Sequence, residues 1–455
     1  MTEKELLEKI DSNAAAEIFS RLYGTREIDA VRLRYRALIA EMLKSRSDSF
    51  GETGDSKTGD LRVFSAPGRT ELGGNHTDHN RGRVLAASIQ LDSAAIVRKR
   101  EDNIVFFRST GYPDVIVKLA DPSDAPDLQP RPEEEGTTEA LIRGIAAEFS
   151  RRDFAVGGFS ANADSIVLPG SGLSSSAALE VLICRIFDSL YGQGKLSVLE
   201  IAQIGQIAEN VYFGKPCGLM DQTACASGGA VAIDFANTSA PDVRRINFDL
   251  AAAGYALCVV NTGGSHADLT ADYASIPSEM KSVAIFFGRS VLRGLKKETF
   301  LSRAAEVRKE LGDRAFLRSL HFFDENDRVT AMTAALVKNE NAATIIEKQS
   351  ALVDYLRLVN ESGDSSWQLL QNVYSPYHLE NQGISVALAL TKDFLRKQKL
   401  YGACRVHGCG FAGTIQAYIP LDALDAYRAD TEAVFGAGSV TVLRIRPEGA
   451  VELVF

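Results

Sequence analysis

Apolar residues recur at helical spacing through the first 46 residues, where Ile18, Leu22, Val31, Leu33, Leu38, Ile39 and Leu43 supply the apolar faces. A polar Gly/Ser/Asp/Thr stretch, 47–60, breaks that pattern and predicts a loop. The period then shortens. Residues 61–66 predict a short strand, and 84–99, alternating and rich in Val, Ile and Ala, predict strands that continue through 104–107 and 115–119. Residues 121–138 hold Pro122, Pro126, Pro130, Pro132 and an acidic run, the composition of a surface loop. Helices are expected over 138–151, 177–191 and 196–213, and strands over 159–166, 230–235 and 255–261. Residues 278–360 read as mostly helical. The tail has a clear order: helix 384–400, strand 402–407, glycine turn 408–413, strand 414–419, helix 421–435, strand 438–445. Its β-β-α-β run matches part of a ferredoxin-like split βαβ unit.

Length and composition narrow the class. A chain of 455 residues can bury a large core in two or three domains. Its 45% hydrophobic and 24% charged residues are ordinary for a globular protein. The net charge of −9 argues against nucleic acid and against anionic membranes as partners. The charged, amphipathic start, Met1 to Ile10, lacks the features of a signal peptide, and no apolar run is long enough to span a bilayer. Six cysteines without CxxC spacing predict reduced thiols, and with the missing leader a cytoplasmic protein.

The segment Leu168-Pro-Gly-Ser-Gly-Leu-Ser-Ser-Ser-Ala-Ala-Leu-Glu180 carries the most chemistry. Gly170 and Gly172 can take positive φ and let backbone approach a ligand closely. The serines fall on the first turn of an apolar helix, whose unsatisfied N–H groups and partial positive charge suit phosphate. An ordinary capped helix is the alternative. No Gly-Lys-Ser/Thr follows, so the segment is not a Walker A loop. Ser175 and Ser176 could bind phosphate oxygens or Mg²⁺, or could cap the helix.

Three further segments hold candidate ligand-binding residues. In Ala66-Pro-Gly-Arg-Thr-Glu-Leu-Gly-Gly-Asn-His-Thr-Asp-His-Asn-Arg-Gly82, between two strand-like stretches, Arg69 could stabilise phosphoryl charge and Asp78 could accept from sugar hydroxyls. A solvated surface loop is the alternative, and metal binding by His76 and His79 lacks further ligands at a recognised spacing. Glu209 to Gln222 ends a helix and turns. It presents Asp221, which could take a hydroxyl proton or cap the next helix, and Glu209, which could reach Mg²⁺ or be a solvated helix residue. His407-Gly-Cys-Gly-Phe-Ala-Gly413 has more glycine than a plain hairpin needs.

Taken together and in this order, the segments resemble the GHMP kinases, and within them the galactokinase family. The family signature Gly-Arg-x-Asn-Leu-Ile-Gly-Glu-His-x-Asp-Tyr is answered by Gly68-Arg69-Thr-Glu-Leu-Gly-Gly-Asn-His-Thr-Asp78-His79. The phosphate-loop motif is answered by 170–178, the Cys-Gly-x-Met-Asp-Gln motif by 217–222 and the late glycine motif by 408–413. The resemblance spans roughly 61–445. It implies an α+β, two-domain GHMP kinase fold. An N-terminal domain (1–245) would be like domain 2 of ribosomal protein S5, with a left-handed βαβ crossover, and a ferredoxin-like C-terminal domain (246–455) would follow.

The resemblance also implies ATP-dependent phosphorylation of the anomeric hydroxyl of galactose. Asp221 and Arg69 would be catalytic. Arg69, Asn75, His76, Asp78, Gly218, Asp221 and Tyr273 would contact the sugar. Pro169, Gly170, Ser171, Gly172, Leu173, Ser174, Ser175, Ser176 and Ala177 would bind ATP, and Ser176 and Glu209 would bind Mg²⁺. The partners would be ATP and a monosaccharide, with no nucleic acid or membrane, and the protein a monomer or weak homodimer. Several positions depart from the family pattern. Asn75 stands for Glu, Glu71 for Asn and His79 for Tyr. Cys409 and Ala412 stand for glycines, and 138–144 lacks the tryptophan usual before the phosphate loop. An amide donates where a carboxylate only accepts, so the acceptor could instead be N-acetylgalactosamine or L-arabinose. A sugar- and ATP-binding sensor without turnover is the remaining alternative.

Overall fold

The structure, a computed structural model, describes residues 1–44, 60–120, 127–168, 170–264 and 269–455. Most of the loop expected at 47–60 therefore lies outside the described residues, as does the start of the loop at 121–138. Three N-terminal helices, α1 (Glu3–Ile10), α2 (Asn13–Tyr23) and α3 (Ile28–Lys44), lead into strands β1 (Leu61–Gly73) and β2 (Arg83–Lys99). Strands β3 (Ile104–Ser109) and β4 (Val115–Lys118), helix α4 (Thr138–Arg151) and strand β5 (Phe159–Ser165) follow. Next come α5 (Ser175–Phe187), α6 (Val198–Ile207), α7 (Met220–Ser227), β6 (Ala230–Asp234) and β7 (Asp242–Ile246).

The remainder begins with β8 (Tyr255–Asn261) and runs through helices α8 (Thr270–Phe286), α9 (Lys297–Ser302), α10 (Ala304–Leu311), α11 (Asp313–Asn341), α12 (Ile345–Ser365) and α13 (Gly383–Lys397). It closes with β9 (Ala403–His407), β10 (Thr414–Pro420), α14 (Leu424–Phe435), β11 (Val440–Leu443) and β12 (Val451–Leu453).

The first sheet runs β12-β1-β2-β5-β3-β4, with β6 and β7 added along the first half of β2. Both of its faces are covered, and side-chain alternation sorts them. Val63, Ala94 and Ile96 pack against α1–α3, whereas Phe64, Ala66, Ala95 and Val97 pack under α4 and α5. The second sheet, β11-β8-β10-β9, is wholly antiparallel. Numbered along the chain its order is 4-1-3-2, the ferredoxin-like order expected from the tail. Cys258, Val260 and Ile415 face α13 and α14, while Leu257, Val259 and Tyr418 face α11 and α12. That second cluster also contains Leu72, Leu85 and Ile89 of the first sheet, so one apolar core joins the two sheets.

Three features differ from the sequence reading. Strand β1 does not stop at Ala66 but continues through the polar residues to Gly73, with register shifts between Pro67 and Arg69 and between Glu71 and Gly73. These bulges re-aim the side chains between Arg69 and Gly73. The helices expected over 177–191 and 196–213 each end in one wide turn, Asp188–Gly192 and Ala208–Tyr212. Strands β7 and β12 were not expected, and β12 pairs with β1, so the last residues rejoin the first sheet.

Candidate active site

Strand β1 brings Arg69 beneath the glycine/serine turn. Arg69 N donates to Leu173 O at 3.0 Å, and a Cβ at Gly68 would press on that same carbonyl at 2.7 Å. Gly170 and Gly172 have φ of +70° and +71°, as their sequence context requires. Beneath the turn lies His407, at the end of β9. Its imidazole bridges Thr70 Oγ1 and Thr414 Oγ1, each at 3.0 Å, and Thr414 Oγ1 donates to Ser171 O at 3.0 Å. Burial, with the nearby Arg69 and Arg405 cations, pushes the His407 imidazole down to about 3, so it is a neutral strut.

Ser174 is the N-cap residue of α5, in a left-handed conformation, but it makes no side-chain cap. Its hydroxyl instead donates to Asp221 Oδ2. The first turn of α5 thus keeps backbone donors that no cap side chain occupies, the arrangement that suits an anion. Asp221, on the first turn of α7, also accepts from Arg69 Nε at 2.8 Å and Nη2 at 2.7 Å. Burial opposes ionisation of this carboxyl. The guanidinium and the Ser174 hydroxyl outweigh burial and hold it below the usual carboxylate range. The Asp221 side chain remains 31% exposed against 8% for Arg69.

The loop after β1 forms one wall. His76, with φ of +59°, bonds Cys409 O through Nε2 at 3.0 Å. Burial pushes its imidazole down to about 4. Since a carbonyl can only accept, the proton sits on Nε2 and Nδ1 is left as an acceptor. Asp78 faces Gly218, where any Cβ would collide with Asp78 Oδ2. Tyr273, on the first turn of α8, packs its ring edge-on to Phe411 of the late glycine turn, centroids 5.7 Å apart.

Asn75 is placed differently. It is buried, and its amide donates to Glu71 Oε1 (3.1 Å) and Gly408 O (2.7 Å) while its oxygen accepts from Asn372 Nδ2 (2.7 Å). Glu71 in turn pairs with the fully buried Arg405 at 2.6 Å. The Asn75 amide is engaged on both its nitrogen and its oxygen, and buried Glu71 takes both of its close partners through Oε1.

At the other end, Ser176 Oγ lies 3.4 Å from Glu209 Oε1. Glu209 sits in the wide turn after α6, where Phe213 N bonds Ala208 O in an i+5 step. A hydroxyl and a carboxylate are hard oxygen donors, the set Mg²⁺ uses when phosphates and water complete its shell. Among the described residues, no three His, Cys, Asp or Glu side chains cluster as a self-sufficient metal site.

The remaining expected phosphate-loop residues contribute backbone more than side chain. Leu173 and Ala177 are in the core, and the Ser171 hydroxyl turns to Leu168 O at 2.6 Å. Pro169 lies outside the described residues. All six cysteines are free, with Cys409 exposed. Sequence reasoning missed Arg405 and Asn372, whose roles arise only from tertiary contacts. No helix among the described residues is long and apolar enough to cross a membrane.

A left-handed serine at an uncapped helix start, clasped to an Arg–Asp pair between an S5-like sheet and a ferredoxin-like sheet, defines a phosphotransferase of the GHMP kinase class. Sequence models of the GHMP kinases N terminal domain and of the galactokinase galactose-binding signature match residues 140–229 and 48–99. Galactokinase of Glaesserella parasuis serovar 5 (strain SH0165) is 30% identical over 369 residues, covering 80% of this chain and 86% of its own. Galactokinase of Streptomyces coelicolor is 30% identical over 391 residues, covering 84% and 91%. The fold is similar to Lactococcus lactis galactokinase complexed with galactose, with a TM-score of 0.71, 24% identity and coverage of 90% of this chain and 100% of that one. Methanococcus jannaschii mevalonate kinase is more distant, with a TM-score of 0.57, 14% identity and coverage of 85% and 99%. The chain belongs to the galactokinase family.

Proposed function

We propose that this protein transfers the γ-phosphoryl group of ATP to the C1 hydroxyl of galactose, giving galactose 1-phosphate and ADP. The reading is carried by the Arg69–Asp221–Ser174 cluster, which joins an ionised, partly exposed carboxylate to the first turn of α5. The glycine turn and the free N–H groups of α5 hold the nucleotide phosphates. Asp221 accepts the hydrogen bond of the sugar C1 hydroxyl in place of Ser174 and orients its oxygen at the γ-phosphorus. Arg69 keeps Asp221 ionised and adds positive charge where phosphoryl charge spreads. Because the Asp221 carboxyl is held low, it is a weak base. Its work is orientation and charge stabilisation, with proton uptake late, as suits a loose phosphoryl-transfer transition state. Neutral His76 offers Nδ1, and Asp78 its carboxylate, to sugar hydroxyls. Ser176 and Glu209 would hold Mg²⁺, which would supply positive charge against the nucleotide phosphates.

A second acceptor is favoured by one observation: an amide engaged within the protein stands at position 75, and the Glu71 carboxylate is buried against Arg405. N-acetylgalactosamine or L-arabinose would then compete with galactose. A panel of aldoses with coupled ADP detection separates the two. Galactose should give the highest kcat/KM, and a preference for another aldose would overturn the primary acceptor while leaving the chemistry intact.

A further inference from the structure

Glu209 presents a single oxygen to the cleft. Oε2 is engaged in the core by Gln222 Nε2 at 3.0 Å, and that same nitrogen donates to buried Glu180 Oε2 at 2.9 Å. Oε1 is the oxygen near Ser176, and it is already taken by a cation: Lys215 Nζ lies 2.9 Å away. The two partners differ in freedom. The Glu209 side chain is 4% exposed and Lys215 is 60% exposed.

The backbone that carries Lys215 is tightly tied. Lys215 N donates to Glu209 O at 3.1 Å, Cys217 N to Asn210 Oδ1 at 2.6 Å, and Gln206 Nε2 to Cys217 O at 3.2 Å. Gly214 has φ of +81°, and a Cβ there would collide with Glu135. Only the four-carbon stem of Lys215 is free to swing. The charge of Lys215 also stabilises the Asp221 carboxylate, so the ammonium lies within the field of both acidic groups of the site.

We propose that Lys215 is an exchangeable counter-ion. In the free protein its ammonium holds the Glu209 oxygen that a divalent cation needs, and when the metal–nucleotide arrives it moves onto a phosphate oxygen. The proposal rests on the reading of Ser176 and Glu209 as the cation pair. Two cations cannot share one enclosed carboxylate oxygen without strong repulsion. A displaced ammonium on a flexible stem, beside a triphosphate, is a point-charge phosphate ligand.

Removing the charge therefore has two effects of opposite sign. Bare metal loses a competitor, and nucleotide loses a ligand. The test uses the full chain without sugar, as wild type, Lys215→Met and Lys215→Arg. Binding of Mn²⁺ alone is followed by electron paramagnetic resonance, and binding of Mg²⁺ with the β,γ-imido analogue of ATP by calorimetry. Lys215→Met should bind bare Mn²⁺ several-fold more tightly and the Mg-nucleotide about tenfold more weakly, the size of one charge-assisted hydrogen bond. Lys215→Arg should recover much of the nucleotide affinity. If Lys215→Met moves both affinities in the same direction, or leaves Mn²⁺ binding unchanged, the proposal is overturned. A wild-type protein that binds no Mg-nucleotide overturns the nucleotide-site reading and the proposal with it.

Discussion

Arg69 grips Asp221 with two parallel hydrogen bonds, 2.8 and 2.7 Å, and so couples a strand of the first sheet to the first turn of α7. The fork fixes the carboxylate's plane as well as its charge, which a lysine ammonium cannot do. Arg69→Lys should lower kcat by about 10²-fold, the scale of a lost positioning contact. The acid limb of its kcat profile should also move up in pH, because the Asp221 carboxyl loses part of what holds it low. Initial rates from about pH 2.5 to 8, a window that includes the ordinary carboxylate range, check both. An unshifted limb would contradict the role assigned to the pair.

The glycine/serine turn depends on Gly172 for its shape. At φ +71°, with an added Cβ 3.1 Å from His407 Nδ1, alanine is both strained and crowded. Gly172→Ala should raise the KM for ATP about tenfold, equivalent to the roughly 1–2 kcal/mol cost of the left-handed region. KM for sugar should change little. Equal effects on the two substrates would argue that the turn does not address the nucleotide.

Asn75 and Glu71 exchange the residue types of the family signature between two positions that hydrogen-bond each other at 3.1 Å. Asn75→Glu alone sets a second carboxylate against Glu71 and the Gly408 carbonyl, a buried unpaired charge that costs about 3–5 kcal/mol. Adding Glu71→Asn restores an amide–carboxylate pair. Thermal melts of the four proteins in the cycle should show a favourable coupling of about 1–3 kcal/mol. Additive losses would mean that the two side chains do not act as a unit.

Stability should fall on mild acidification. Burial holds the His407 and His76 imidazoles down to about 3 and about 4. As pH drops below about 6.5, the unfolded chain takes up protons at these positions while the folded protein does not. Their neutral burial is therefore without cost above that pH, and stability declines through the window from about 6.5 to 4, by up to ~1.4 kcal/mol per pH unit per group. Urea midpoints at pH 7.5, 6 and 5 measure the slope. His407→Gln should flatten it, and a variant slope equal to wild type would contradict the assignment.

The parts of this design that were legible in sequence are those set by local chemistry. The tail from β9 to β11 was readable because short alternating runs are bounded by glycine at 408–413 and by a helical stretch. The turn at 170–174 was readable because glycine takes positive φ without strain, as Gly170 and Gly172 do. Strand β1 was cut short at Ala66 because Arg69, Thr70 and Glu71 break the apolar pattern of a strand. They are tolerated there because Asp221, His407 and Arg405 satisfy them from distant parts of the chain. Strand β12 is three residues long and pairs with β1 at the other end of the sequence, which no local period reveals. The occupied state of Asn75 and the Lys215–Glu209 contact are likewise products of folding.

The proposed role of Asp221 is to present a sugar's anomeric oxygen to the γ-phosphate. Its most direct test is phosphorus and proton NMR of the product made from galactose and Mg-ATP by wild type and Asp221→Asn. Wild type should give phosphate on C1, one per ADP formed. The variant should still bind Mg-nucleotide but turn over about 10²- to 10⁴-fold more slowly. Phosphate on another carbon, or full turnover by the variant, would contradict the account.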